Sequence, residues 1–498
     1  MERGKEAPFK FFNLRVLPLI ALFFILGIFT VSVSYAVAAI SFAVAAIFLF
    51  LLVMAKSLRP AFAIALFLVA AVGYGSASAA LYYRNNVGAS GYVHATCRVN
   101  SVEETEDGYL VTADRLEWDG ERYSGGVEIT TVVPVEAGDR LTVSGNIEIT
   151  ELSLDDAFEA LKYRTGTKYS MVAVTCVAEP GNPPLADRIR TRLRETLIRY
   201  EGDTAGAFTY AMIVGDASYL GYADKANIRA LGAAHIFAVS GLHVGVFAAV
   251  LLFILRKCRA NRIVRLVVMA AVLGAYAYLV GFTPSVLRAS VMILLSLLAS
   301  LLGMRYDDLS SVSFAALAIL LVKPLYLFDL SFIMSFLSIL GIMCFSRPLE
   351  RACLKRKVPP FFAAGLALSV SSTVALLPVT ASVFGTVSLL GVLVNVVVVP
   401  LASLAYVLSV IALPLTLLYS GFGALLKVVA NLPLGIIEIC RWANGINITG
   451  SHAFYTWELI LYYAVLLLVG KYSLLDKKTK ILLGGSFAGI FGVLFFVV

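Results

Sequence analysis

Apolar runs of about twenty residues recur along most of this 498-residue chain, and they limit the folds that it can adopt. A helix rises about 1.5 Å per residue, so roughly 20 apolar residues cross the hydrocarbon core of a bilayer. Hydrophobic residues make up 60% of the chain and charged residues only 14%, which is outside the usual balance of soluble proteins. We therefore predict a polytopic α-helical membrane protein with about 11–12 spans.

The uneven distribution of charge indicates a separate domain. Residues 88–180 contain 17 acidic and 7 basic residues, which gives this segment a net charge of −10. The whole chain has a net charge of +8, so the residues outside the segment together carry +18. Short runs of alternating apolar residues, separated by turn signals, predict about five strands in this segment. The runs are 92–99, 109–118, 127–133, 141–149 and 170–177. Five strands favour a small, OB-like β-barrel, whose acidity argues against a simple phosphate-binding surface.

Basic residues at the ends of the apolar runs predict the topology. Cytoplasmic loops are enriched in Lys and Arg, and such residues precede the first run (Arg3, Lys5, Lys10, Arg15) and follow the second at Lys56 and Arg59. We predict a cytoplasmic N-terminus, an extracytoplasmic barrel, and cytoplasmic loops at 256–265 and 347–357. A cleaved signal peptide is the competing interpretation of the first run, although no clear cleavage site follows it.

An arginine-rich segment follows the barrel. Leu185, Ile189, Leu193 and Leu197 are spaced by four, which places them on one side of a helix within residues 183–203. The arginines lie mostly elsewhere on this helix: Arg188, Arg190, Arg192 and Arg194. We predict an interfacial amphipathic helix that contacts membrane lipid. It either anchors the chain or gathers a polyanion by releasing counterions.

The apolar stretch 231–255 carries His235, Ser240 and His243, although the chain has only four histidines. Polar side chains at membrane depth are costly and usually face a bundle interior or a transport path. Ser240 and His243 are three residues apart and would share a helix face. The alternative is a packing helix whose histidines bond to neighbouring backbone.

Other polar or helix-breaking residues lie in the later apolar segments. Arg288 lies a few residues after the start of an apolar span. Its side chain either snorkels to the membrane interface or points inward as a fixed positive charge. Asn395 lies in a long apolar region with Pro400 and Pro414, and Pro378 lies in the apolar run before it. Repeated prolines in such runs predict broken helices. Asp216 lies in the second half of a short apolar stretch, 204–220, interpreted as a re-entrant helix or a hairpin arm.

The cysteines and histidines do not indicate a metal or redox site. Six cysteines show no C-x-x-C spacing, and four histidines form no H-x-H-x-D-H pattern. We expect neither a metal nor a cofactor. Cys97 and Cys176 lie in the first and last predicted strands, which often meet when a small barrel closes. We predict a disulfide between them on the oxidising side of the membrane.

Four short motifs resemble the ComEC family of competence proteins, which are DNA channels of natural transformation in the inner membrane. The closest likeness is GAAHIFAVSGLHV at 232–244. SVLRASVM at 285–292, FIMSF at 332–336 and NVVVVP at 395–400 are also similar. The acidic barrel, with LKYRTG at 161–166, resembles the family's extracytoplasmic domain. Ile333 replaces the usual glutamine, which leaves the polarity of a channel at that position open.

The resemblance implies a channel that imports single-stranded DNA into the cytoplasm, with no catalytic residues. Its path would contain His235, Ser240, His243, Arg288 and Asn395, with Asp216 near the outer mouth. Many family members carry a metallo-β-lactamase-like nuclease domain, and this sequence lacks its histidine-rich cluster. The expected partners are therefore a separate DNA receptor, a cytoplasmic DNA-translocating ATPase and a separate nuclease.

The predicted domains are 1–87 (transmembrane helices), 88–182 (OB-like domain), 183–203 (interfacial helix) and 204–498 (channel domain), in a multi-pass protein of the inner or plasma membrane. Two other functions are compatible with the residues. One is an intramembrane serine hydrolase that uses Ser240 as nucleophile and His243 as base. The other is a small-solute transporter.

Overall fold

A computed structural model describes most of the chain in two compact units. The described residues are 16–32, 41–43, 46–47, 60–86, 90–105, 108–118, 120–123, 126–136, 138–149, 167–181, 183–237, 239–385, 387–447, 449–450, 456–470 and 479. One unit contains 16–192 and 313–333, and the other contains 193–312 and 334–498. The last apolar run of the sequence, 481–498, which we predict to be a span, lies outside the described residues, as do residues 471–478.

Among the described residues of the first unit are the apolar helices α1 (Val16–Phe29) and α2 (Pro60–Asn86). They pack with their backbones in contact, because Gly27 and Gly73 have no side chain to separate them. A Cβ at Gly27 would overlap the carbonyl of Ala70, and a Cβ at Gly73 would overlap that of Phe24. Small residues permit this close approach of helices in a membrane.

The predicted β-domain is confirmed. Its strands are β1 (Gly91–Thr105), β2 (Gly108–Trp118), β3 (Glu121–Arg122), β4 (Gly126–Thr131), β5 (Arg140–Ile149) and β6 (Thr167–Glu179). The order β1-β5-β6-β4-β2 closes on itself through β1–β2 pairing, and β3 pairs with the end of β2. All pairs are antiparallel except β4–β6, which is parallel. The domain is thus a closed five-stranded barrel filled by alternate side chains, such as Val127 and Ile129.

The prediction that the first and last strands meet was wrong, because β5 lies between β1 and β6. Cys97 is opposite Leu141 on one side of β5, and Cys176 is opposite Val143 on the other. The two cysteines are therefore separated by two inter-strand spacings, about 9–10 Å. A disulfide requires the Cα atoms to lie within roughly 7 Å. Both thiols are free in this structure. Burial, followed by the nearby Cys176 and Asp114, raises the pKa of Cys97 to about 12.

Helices make up the rest of the described chain. After the barrel come α3 (Leu185–Glu201), α4 (Asp203–Val214), α5 (Tyr222–Ala230), α6 (Gly241–Lys257), α7 (Arg262–Leu279), α8 (Pro284–Leu302), α9 (Asp308–Val322), α10 (Leu330–Lys355), α11 (Pro360–Phe384), α12 (Leu389–Leu418), α13 (Gly423–Val429), α14 (Asn431–Asn444) and α15 (Thr456–Val469). Within the described residues, short 3₁₀ turns cover Thr30–Ser32, Ala234–Ile236, Pro324–Phe328 and Ser420–Phe422. Two short strands that are distant in sequence, β7 (Val387–Ser388) and β8 (Thr449–Gly450), form an antiparallel pair.

Eight segments of the described chain are long and apolar enough to cross a membrane. They are 62–80, 234–257, 262–279, 284–302, 330–355, 360–384, 390–418 and 420–444, and two shorter apolar helices, α1 and α9, accompany them. The protein is therefore a multi-pass membrane protein. The basic segment 347–357, predicted as a loop, is mostly the last turns of α10.

The prolines of the later spans do not break their helices, contrary to the prediction. Helix α11 continues through Pro378, and α12 continues through Pro400 and Pro414. A proline cannot donate to the carbonyl four residues earlier, and an unpaired carbonyl is costly away from water. At Pro378 that carbonyl belongs to Val374, and it accepts a 2.6 Å hydrogen bond from the hydroxyl of Tyr462 on α15. A side chain from another helix therefore replaces the missing donor.

Candidate functional site

The break in helical structure occurs instead inside the histidine-bearing stretch. Helix α5 ends at Ala230, Gly232 has a φ of 67°, a 3₁₀ turn covers Ala234–Ile236, and α6 begins only at Gly241. The positive φ at Gly232 is accessible to glycine at little cost. Segment 234–257 is long and apolar enough to span a membrane. Irregular backbone thus occupies the start of a candidate span, a position that must be covered by protein or water.

Ser240 and His243 form the cap of α6 and do not share a helix face as predicted. Ser240 has an extended backbone (φ −89°, ψ 161°), and its Oγ accepts from the backbone N–H of His243 at 3.4 Å. In return, Nδ1 of His243 accepts from the backbone N–H of Ser240 at 3.5 Å. This is a reciprocal capping box in which histidine replaces the usual Glu or Gln. Neither bond joins the serine hydroxyl to the imidazole, which a nucleophile and its base require.

A chain of polar rings continues from the cap into the bundle. The imidazole of His243 stacks on the ring of Tyr406, with centroids 4.6 Å apart. Tyr406 donates its hydroxyl proton to the hydroxyl of Tyr276 at 3.2 Å, and Tyr276 donates to the carbonyl of Ile213 at 2.9 Å. All four residues belong to the second unit. The cap of α6 is thereby tied to α12, α7 and α4.

A small cavity lies beside the cap. It is lined by His235, Ser240 and His243 and by residues of the facing helix α12. The others are Ile236, Leu242, Val399, Ala402 and Ser403. The Nδ1–H of His235 donates to the carbonyl of Gly232 at 3.1 Å, which leaves Nε2 as an acceptor in the neutral ring. Three of the predicted path residues therefore surround one space.

Arg288 lies next to this cap and is buried, with 8% of its surface exposed. It belongs to the second turn of α8, and its guanidinium group lies 5.8 Å from the ring centroid of Phe336. A Cβ built on Gly241 would be 2.5 Å from Nη2 of Arg288, so the guanidinium lies against the first residue of α6. Its Nε is buried and, within the described part of the chain, has no hydrogen-bond partner.

Asn395 and Asp216 differ in their relation to the cavity. The buried Oδ1 of Asn395 has no partner among the residues that the structure describes. Residues 395, 399 and 402 follow the i, i+4, i+7 pattern of one helix face, so Asn395 extends the face that lines the cavity. Asp216 instead accepts from the backbone N–H (2.9 Å) and hydroxyl of Ser218 in a local turn. The structure shows no contact between Asp216 and the other predicted path residues.

Helix α3 has the predicted amphipathic pattern, although protein covers part of its apolar side. Leu197 is fully buried in the core of the second unit, whereas Leu185 is 64% exposed. Arg190 forms an ion pair with Asp187 at 2.8 Å, and the guanidinium of Arg194 lies 4.3 Å from the ring centroid of Tyr219. The Nε of Arg188 donates to the carbonyl of Pro183, and Arg192 is exposed.

Tyr276, Tyr406 and Glu201 are not among the residues predicted from the sequence. The two tyrosines look like ordinary aromatic residues in apolar runs, and their hydroxyls become informative only when the helices are assembled. Glu201 is 8% exposed, and its Oε2 accepts from the hydroxyl of Thr209 at 2.6 Å. Its signal was an acidic residue where an arginine-rich helix gives way to an apolar one. Among the described residues, no group of three or more His, Cys, Asp and Glu side chains could hold a metal ion.

Comparison with known proteins identifies the family. A family model described as "Competence protein" matches residues 212–475. The chain is 27% identical over 236 residues to "ComE operon protein 3" of Bacillus subtilis (strain 168), a match that covers 45% of this chain and 30% of the relative. The chain thus corresponds to less than two thirds of that relative, and no solved structure matches it significantly. Because the family match covers more than half of the chain, and includes the α6 cap, the buried arginine and the polar cavity, the protein belongs to the ComEC-type competence protein family.

Proposed function

We propose that this protein conducts single-stranded DNA through the plasma membrane into the cytoplasm during natural transformation. Membership of the competence family supports a role in DNA uptake. The observation that carries the proposal is the helix break at 231–240, where His235, Ser240 and His243 surround one cavity beside α12. A strand of nucleic acid needs polar groups at membrane depth, and interrupted helices provide such groups at transport sites.

The chemistry of these residues suits conduction. Conduction requires binding sites that are weak enough to release the substrate. The imidazoles of His235 and His243, the hydroxyl of Ser240 and the amide of Asn395 offer adaptable hydrogen bonds without gripping a strand tightly. Arg288 adds one fixed positive charge, and Asp216 lies near the outer mouth.

The same proposal includes orientation and partners. The N-terminus would be cytoplasmic and the acidic barrel extracytoplasmic, with α3 on the membrane surface in contact with lipid. A separate receptor would present the DNA and a separate nuclease would remove the other strand. The sequence contains no G-x-x-x-x-G-K-S/T loop, so a cytoplasmic ATPase would supply any nucleotide-driven pulling.

Uptake of labelled DNA into the cytoplasm tests the function. Cells with the gene should accumulate labelled DNA inside, and cells without it should hold DNA only at the surface. Equal internal accumulation in both would refute the proposal. Transport of a small solute without DNA entry would favour the transporter interpretation instead.

Asn395→Leu tests the path. The substitution replaces an amide, whose buried oxygen has no partner among the described residues, by an apolar group of similar size, which should not lower stability. We expect normal protein abundance with DNA entry strongly reduced. Asn431→Leu is the matched control, because Asn431 is an exposed asparagine at the start of α14. Normal entry in Asn395→Leu would remove this residue from the path.

A further inference from the structure

The N-terminus of α6 and the guanidinium of Arg288 together have the composition of an anion site. Ser240 and His243 cap each other, which accounts for two of the first N–H groups of the helix. In the described part of the chain, the N–H groups of Gly241 and Leu242 have no hydrogen-bond partner. Unpaired N–H groups and the helix dipole favour negative charge at such an end, and α6 is 17 residues long.

Arg288 is the second, independent observation. More than nine tenths of its surface is buried, and its Nη2 lies against Gly241. Nε and Nη2 are on the same edge of the planar guanidinium group, and that Nε has no partner among the described residues. This edge is the fork that binds two oxygens of a phosphate group.

The charges of this arrangement favour an anionic ligand. A buried arginine and the positive end of a helix lie side by side, and within the described residues no acidic side chain pairs with Arg288. Burying a cation without a partner is unfavourable. An anion between the two would offset both charges.

We infer that Arg288 and the N–H groups of Gly241 and Leu242 form a subsite for one backbone phosphodiester of the transported strand. This inference rests on the proposed function. The groups would contact the non-bridging oxygens of a phosphate and no base edge. The subsite would therefore accept any sequence, as phosphate contacts do in general.

Gly241 has a positioning role in this subsite. Its backbone does not need glycine, since its φ is not positive. The space around Gly241, however, does require glycine, because a Cβ would be 2.5 Å from Nη2 of Arg288 and 3.6 Å from the Cβ of Ala289. Alanine at position 241 would displace the guanidinium while keeping its charge and improving helix propensity.

The salt dependence of binding tests the subsite. Full-length protein in lipid nanodiscs would be titrated with a fluorescent oligothymidylate at several salt concentrations. Each phosphate contact on a single strand contributes about 0.7 to the slope of log K against log salt. We expect Arg288→Gln and Gly241→Ala each to lower the magnitude of the slope by about 0.7. Arg305→Gln should leave the slope unchanged, because Arg305 is exposed just beyond the other end of α8.

The outcomes separate the subsite from the channel. An oligomer with a neutral methylphosphonate backbone should bind equally to wild type and Arg288→Gln. If the wild-type gene supports DNA entry but Arg288→Gln keeps the wild-type slope, the subsite is refuted and the channel stands. If inorganic phosphate raises the melting temperature of wild type but not of Arg288→Gln, while the gene has no effect on DNA entry, the anion site stands and the channel fails. Melting curves without ligand show whether Arg288→Gln has failed to fold. In that case Arg288→Lys replaces it, and we expect a partial loss of binding because lysine lacks the two-pronged guanidinium edge.

Discussion

Glu201 makes the stability of the second unit depend on pH. It is the last residue of α3, and its Oε2 accepts from the Thr209 hydroxyl at 2.6 Å. Its Oε1 is buried and has no hydrogen-bond partner among the described residues. Burial raises the pKa of this carboxyl from 4.5 to about 7, although the Thr209 hydrogen bond acts in the opposite direction.

The sign and size of the effect follow from the two pKa values. Between pH 4.5 and about 7 the unfolded chain loses this proton while the folded chain keeps it, so the free energy of unfolding decreases as pH rises. Each pKa unit corresponds to about 1.36 kcal/mol, so the full effect is about 3 kcal/mol. The cost is absent below pH 4.5 and complete above about pH 7.

Glu201→Gln isolates this term, because glutamine keeps an oxygen for Thr209 and cannot ionise. We expect the variant to match wild type at low pH and to be more stable by about 3 kcal/mol at alkaline pH. The measurement is chemical unfolding of the purified full-length protein in detergent across this pH range. Glu195→Gln, an exposed position on the same helix, should show no such divergence. A Glu201→Gln variant that is less stable than wild type at alkaline pH, or whose difference from wild type does not vary with pH, would refute the argument.

Two other substitutions or modifications test the structure. Tyr462→Phe leaves the carbonyl of Val374, which Pro378 cannot bond, without a donor, and thermal unfolding should show a destabilisation of about 1–3 kcal/mol. Tyr463→Phe is the control and should destabilise the protein less, because the carbonyl of Ala375 that Tyr463 contacts keeps its helical partner. Equal losses would contradict this account. A membrane-impermeant maleimide should label the exposed Cys258 only from the cytoplasmic side. It should label Cys97 only after unfolding, because burial raises the pKa of this thiol to about 12. Mass spectrometry of inside-out and right-side-out vesicles measures both reactions, and labelling of Cys258 from outside would overturn the predicted topology.

Local patterns predicted the barrel strands but not their order. Alternation of apolar residues marks a strand because its side chains point to opposite faces, and this holds wherever the strand pairs. The insertion of β5 between β1 and β6 depends on pairing between distant segments, such as Val93 with Gly145. No pattern within one strand encodes that choice, so the predicted disulfide between Cys97 and Cys176 was wrong.

The helical region shows the same division between local and distant information. Apolar length predicted the spans but does not locate where a span is interrupted. The glycines at 232 and 241 allowed either close helix packing or a break, and the cap of α6 uses histidine where glutamate is expected. Conversely, Pro378 predicted a break, but the helix continues through it, and Tyr462 on the distant helix α15 supplies the donor that the proline lacks. Polar groups in apolar segments were visible in the sequence as candidates. Their grouping around α6 required the packing of α8 and α12.

The strand order of the barrel also constrains how the protein is made. Strand β6 pairs with both β4 and β5, so the cylinder cannot close until residue 179 has been synthesised and delivered to the side where the domain folds. Until then β4 and β5 each present an open edge to other chains. A ribosome that stalls before β6 therefore leaves an open, aggregation-prone barrel that lacks one strand. A protease or chaperone on that side would recognise this intermediate rather than the finished domain.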